Sequence, residues 1–144
     1  MRVADLIASR REVYSITEDT TVHDAARYLR DRQVRSVGVC DRLGVLLGVV
    51  SQSDISDKVG AENKCPAWMR VSEIMTRQLV TATPETSIED CLRLMNQHGI
   101  FHLLVVDREK GFRGMISVTD LLQLFASDQK ARADMLEAFI FPQR

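Results

Sequence analysis

The sequence has little that would commit it to chemistry of its own. Aromatic residues make up only 6% of its 144 positions, too few for the stacking platforms that single-stranded nucleic acids need. Neither charge is in excess, with 19 Lys and Arg against 20 Asp and Glu, which argues against the basic surface that binds phosphate backbones. On this reading Arg10 and Arg11 are solvated surface. No apolar run has the length of a signal peptide or a membrane span, so the chain reads as cytoplasmic, with neither nucleic acid nor membrane as partner. The three cysteines, Cys40, Cys65 and Cys91, are far apart and lack a C-x-x-C spacing, which fits a reducing compartment better than a disulfide framework.

Catalytic signatures are missing as well. The glycines form neither a P-loop nor a dinucleotide fingerprint, and no nucleophile elbow supports hydrolase chemistry. His98 and His102 are four apart, but Gly99 lies between them where a helix should stop, and no third ligand completes a metal site. The expectation is a protein that is not an enzyme and holds no metal and no catalytic cofactor.

What the chain does have is a repeat. Residues 14–54 lie in register on residues 80–120 without a gap, 66 positions apart, with ten identities including Asp24/Asp90, Gly48/Gly114, Ser51/Ser117 and Asp54/Asp120. A unit of this length is one supersecondary motif, and two copies pack together because one alone cannot cover its apolar face.

Each copy reads the same way. Val22, Ala25, Ala26 and Leu29 make the apolar stripe of a helix, and Ile88, Cys91, Leu92 and Met95 repeat it. Short apolar runs follow at 37–40 and 103–106, then second strands at 45–50 and 112–116, each running directly into a helix at Ser51 or Ser117. The unit is thus β-α-β-β-α. Matching short helices at 3–7 and 71–75 precede the copies. Cys40 and Cys91 fall on core positions. Residues 56–70, with Gly60, Pro66 and the single Trp, lack periodicity and read as a surface loop. The boundaries expected are a first motif at 1–59, a linker at 60–70, a second motif at 71–127 and a helical tail at 128–144. Met135, Leu136, Phe139 and Ile140 give that tail an apolar stripe that suits packing on its own core or on a second subunit.

The sharpest local signal is Gly48-Val-Val-Ser51-Gln-Ser53-Asp54 with its echo Gly114-Met-Ile-Ser117-Val-Thr119-Asp120. A strand that feeds straight into a helix exposes free N–H groups that attract an anion. The hydroxyls add donors, and an Asp one turn along can accept from both hydroxyls of a ribose. The same S/T-x-x-D spacing also caps a helix. It occurs four times, and Thr21/Asp24 and Ser87/Asp90 are most simply caps. At Asp54 and Asp120 both readings stand.

The repeat, the Glu73-Ile-Met-Thr76 lead-in, the Gly99-Ile-Phe-His102-Leu-Leu-Val-Val-Asp107 run and the Gly-x-x-Ser-x-x-Asp ends resemble a tandem pair of cystathionine-β-synthase (CBS) domains, a Bateman module, over residues 1–127. The resemblance implies an α+β fold of two β-α-β-β-α motifs packed sheet to sheet about a pseudo-twofold axis. It also implies two clefts for adenosine-containing ligands, AMP, ADP or ATP first and S-adenosylmethionine as a further possibility, and a homodimer. By the same resemblance the first cleft combines Arg35, Ser36, Val49, Ser51, Ser53 and Asp54 with Thr76, Val80 and Ile100. The second combines Phe101, His102, Met115, Ser117, Thr119 and Asp120 with Ser9, Tyr14 and Val34.

The sequence departs from the family pattern unevenly. Ser36 and Gly38 replace His and Pro in the first copy, while Phe101 and Leu104 stand in the second, so each cleft keeps one basic residue at that edge. Arg35 is always charged and His102 titrates near neutrality, so the first cleft is expected to prefer the more phosphorylated ligand. The function expected is a stand-alone regulatory module that senses an adenine nucleotide and signals to an unidentified protein partner. A ligand-free dimeric scaffold of the same fold is the alternative.

Overall fold

A computed structural model describes residues 1–8, 10, 12–108, 111–127, 133 and 136–137. In chain order its regular elements are α1 (Val3–Ile7), β1 (Ser15–Thr17), α2 (Val22–Arg32), β2 (Ser36–Cys40), β3 (Leu46–Ser51), α3 (Gln52–Ile55), β4 (Thr81–Ala82), α4 (Ile88–His98), β5 (His102–Asp107), β6 (Gly111–Ser117) and α5 (Val118–Ser127). They form an α+β protein with two three-stranded sheets, ordered β1-β2-β3 and β4-β5-β6. In each sheet the first pair is parallel and the second antiparallel.

Two compact units result, each holding one copy of the repeat. One runs from Tyr14 to Leu79; the other joins Met1–Val13 to Val80–Arg144. Each lead-in therefore packs in the unit of the other copy.

In the Tyr14–Leu79 unit, the Thr21 hydroxyl accepts from the Asp24 amide at 3.1 Å and starts α2. Gln33, left-handed at φ 55°, ends it. The helix buries Val22, Ala25 and Leu29 against β2, every residue of which is buried. Val71, Ile74 and Met75 complete that core. They are held across it by backbone bonds from Val71 N to the Thr20 carbonyl at 2.9 Å and from Val22 N to the Met69 carbonyl at 2.8 Å. The 71–75 lead-in is a single 3₁₀ turn at Val71–Glu73 rather than an α-helix. Residues 56–70 are more ordered than a loop: Ser56–Gly60 continues α3 as one π-helical turn, which buries Val59, and Pro66–Trp68 forms a 3₁₀ turn with Trp68 exposed.

The second unit repeats the scheme. Ser87 caps α4 by accepting from Asp90 N at 3.1 Å, and Gly99 ends it at φ 63°. Here the left-handed residue is the glycine that conformation favours. Ile88, Cys91, Leu92 and Met95 face Leu103, Val105 and Ile116, and the core is completed by Val3 and Ile7 of α1. That helix is tied down by Val3 N to the Thr86 carbonyl at 2.9 Å and Ala4 N to the Pro84 carbonyl at 2.8 Å. Of the cysteines, Cys40 and Cys91 are buried and Cys65 is exposed. Of the apolar tail stripe, only Leu136 lies among the described residues, where it is helical and exposed; Met135, Phe139 and Ile140 lie outside them.

Candidate functional site

Both strand-to-helix junctions are built alike. In the first, β3 passes into α3 at Ser51, and the Gln52 amide donates to the Arg35 carbonyl at 2.9 Å. In the second, the Val118 amide donates to the Phe101 carbonyl at 2.9 Å as β6 passes into α5. Register pairs Ser36 with Ser51 and His102 with Ser117. Arg35, Ser36, Ser51, Ser53 and Asp54 are thus brought to one place, and Phe101, His102, Ser117, Thr119 and Asp120 to another. Ser53 and Thr119 are exposed at the start of their helices, whereas Ser36 is buried.

Thr76 reaches the first junction through the backbone. Its amide donates to the Val49 carbonyl at 2.9 Å and its carbonyl accepts from Val49 N at 3.0 Å, a one-residue antiparallel bridge on β3. The Thr76 hydroxyl then lies 3.4 Å from Asp54 Oδ1. Tyr14 and Val34 belong to this same unit: Tyr14 meets Tyr28 edge to face at 6.4 Å, and Val34 packs on the core. Val80 and Ile100 pack on the core of the Asp120 unit. Ser9 lies outside the described residues.

Asp54 is 8% exposed, and each oxygen of its carboxylate accepts twice. Oδ2 takes the Ser51 amide at 3.0 Å and the Ser51 hydroxyl at 3.1 Å; Oδ1 takes Lys58 Nζ at 3.0 Å and the Thr76 hydroxyl. The Asp54 amide returns a bond to Ser51 Oγ at 3.1 Å, closing a capping box. Lys58 also donates to the Ile74 carbonyl at 2.8 Å. At Asp120, Oδ2 accepts from the Ser117 amide at 2.8 Å and from Arg10 Nη2 at 2.7 Å. Arg10 Nη1 also donates to the Met115 carbonyl.

Both carboxylates therefore cap a helix and at the same time hold a cation. Sequence reasoning missed the two cations. Lys58 sits in the stretch without periodicity, where only its i,i+4 spacing from Asp54 hints at the pair. Arg10 is exposed, as expected of a surface residue, and also pairs with Asp120, a contact across 110 residues that leaves no local sequence signal. Among the described residues no cluster of three or more His, Cys, Asp or Glu could hold a metal, and no helix is long and apolar enough to cross a membrane.

Comparison with known proteins finds the family model of the CBS domain matching twice, at residues 3–61 and 71–127. A CBS domain-containing protein of Bacillus subtilis, YhcV, is 30% identical over 120 residues, covering 83% of this chain and 84% of that protein. The chain spans 62% of the length of one further curated relative and 37% of another. Among solved structures, a putative signal-transduction protein with CBS domains from Burkholderia ambifaria superposes with a TM-score of 0.80 at 28% identity, covering 90% of this chain and 96% of that one. The CBS domain pair of protein MJ0100, in complex with 5-methylthioadenosine and S-adenosyl-L-methionine, superposes with a TM-score of 0.76 at 25% identity, covering 87% and 99%.

Proposed function

The chain belongs to the CBS domain family as a tandem pair, and from that premise we propose that it is a non-catalytic regulatory module whose two junctions bind adenosine-containing ligands. The observation that carries this reading is the repeated Ser-x-x-Asp junction, where a carboxylate, a hydroxyl and a cation meet at the end of a strand in both units. A carboxylate accepts from a vicinal diol. Arg35 at one junction, and His102 and Arg10 at the other, supply donors and positive charge for a phosphate. The complex of the MJ0100 pair with two adenosine derivatives supports the same ligand class. A ligand of this kind acts on a second copy or a partner protein only through its preference for one conformation over another.

The alternative, a ligand-free scaffold, draws on the saturation of Asp54 by bonds within its own unit. A thermal-shift panel of adenosine, AMP, ADP, ATP, S-adenosylmethionine and methylthioadenosine separates the two. A ligand at a hundredfold excess over its Kd adds about 2.7 kcal/mol of stability, a rise of roughly 5–10 °C for a chain of this size. An unchanged melting temperature with every compound would favour the scaffold.

A further inference from the structure

We propose that the two junctions are unequal in a specific way: Asp120 is open to a ligand hydroxyl, whereas at Asp54 the Lys58 ammonium is a latch that a ligand must displace. This rests on the adenosine-ligand reading above and names which site fills first.

A carboxylate has about four acceptor positions, two on each oxygen. At Asp54 all four are taken by Ser51 N, Ser51 Oγ, Lys58 Nζ and Thr76 Oγ1. At Asp120 the two bonds present both fall on Oδ2, from Ser117 N and Arg10 Nη2, and Oδ1 has no partner among the described residues. A diol can enter at Asp120 without breaking anything, and Arg10 then stays beside it as a fixed cation.

Entry at Asp54 requires an exchange. The bonds to Oδ2 belong to the capping box, so displacing them uncaps α3. The exchange therefore falls on Oδ1. Thr76, at 3.4 Å, yields easily; Lys58, at 3.0 Å and charge-assisted, holds harder. Its side chain is 46% exposed and keeps the Ile74 carbonyl as a second acceptor, so it can swing off Asp54 into water without becoming a buried unpaired charge. The latch has no counterpart in the other unit, because the residue 66 positions on is Leu124. Lys58 is a positioning residue that sets the order of filling.

The test is calorimetric titration of AMP into the wild type, Asp54→Ala, Asp120→Ala, Lys58→Met and Lys58→Arg. Expected is a tighter binding event that survives Asp54→Ala and disappears in Asp120→Ala. Lys58→Met should strengthen the weaker event by about tenfold, the scale of one charge-assisted hydrogen bond. Lys58→Arg keeps the cation, should leave that event weak, and controls for any general effect on folding. Two equal events in the wild type, or a weaker event that Lys58→Met does not change, overturn this inference and leave the adenosine reading standing. No binding of AMP or any other adenosine compound to any variant overturns both.

Discussion

Gly48 and Thr76 approach so closely that a Cβ on Gly48 would lie 2.8 Å from the Thr76 carbonyl oxygen and 2.9 Å from Met75 Sδ. The backbone bridge between Val49 and Thr76 is what draws the two together. Gly48→Ala is expected to destabilise the protein by about 1–3 kcal/mol through overpacking, and Gly48→Val by more. Gly114 differs: its φ of 112° is strained for any other residue, but open space surrounds it. Gly114→Ala should cost a similar amount, about 1–3 kcal/mol, and enlarging the side chain to Val should add little to the steric part. Urea denaturation of the four variants checks both contrasts.

The four Ser/Thr-x-x-Asp segments divide by what surrounds them. Thr21 and Ser87 cap α2 and α4 through the amides of Asp24 and Asp90. Thr21→Ala and Ser87→Ala should each lower stability by about 0.5–2 kcal/mol, with Thr21→Ser close to neutral. Neither should alter AMP affinity in the titration that Asp54→Ala and Asp120→Ala do alter. A change in affinity from the Thr21 or Ser87 variants would mean that these caps also shape the ligand sites.

Burial pushes the Cys91 thiol up to about 12, with the nearby Asp90 charge adding to it. Cys40 is raised by burial first and by the Asp41 charge second, against a lowering bond from Ser15. Both stay neutral in the folded protein where the unfolded chain ionises, above the ordinary thiol value of 9.0. Their contribution is therefore whole below pH 9 and falls as pH rises from there, for Cys91 toward about 12. The expected slope over that range is about 1.4 kcal/mol per pH unit for Cys91. Cys91→Ala should flatten the alkaline limb of a stability-against-pH curve. In the native protein at neutral pH, a thiol reagent should modify Cys65 and spare the other two.

The local chain carried much of this fold. Stripes at Val22, Ala25 and Leu29 and at Ile88, Cys91, Leu92 and Met95 located both long helices, because a helix that buries one face must show it every three to four residues. The in-register repeat placed the strands, and Gly99 marked a helix end. Gln33, its counterpart, carries the same left-handed turn without a glycine to announce it. At the junctions, Ser51, Asp54, Ser117 and Asp120 were visible as a motif, and Thr76 through the family resemblance. Lys58 and Arg10 were not, since a cation's partner across a tertiary contact depends on where two distant segments meet. The exchange of lead-ins was hidden for the same reason: Val3 and Val71 look alike in sequence, and only packing shows which core each one fills.

That exchange changes where the molecule can be divided. A cut between residues 61 and 71, where the two family matches part, would strip the first copy of Val71, Ile74 and Met75 and leave the second without Val3 and Ile7. The shortest continuous stretch holding a whole core is residues 14–79, which straddles that seam. Each half of this chain thus closes its core with a segment that precedes the other copy, so neither copy is a spare part.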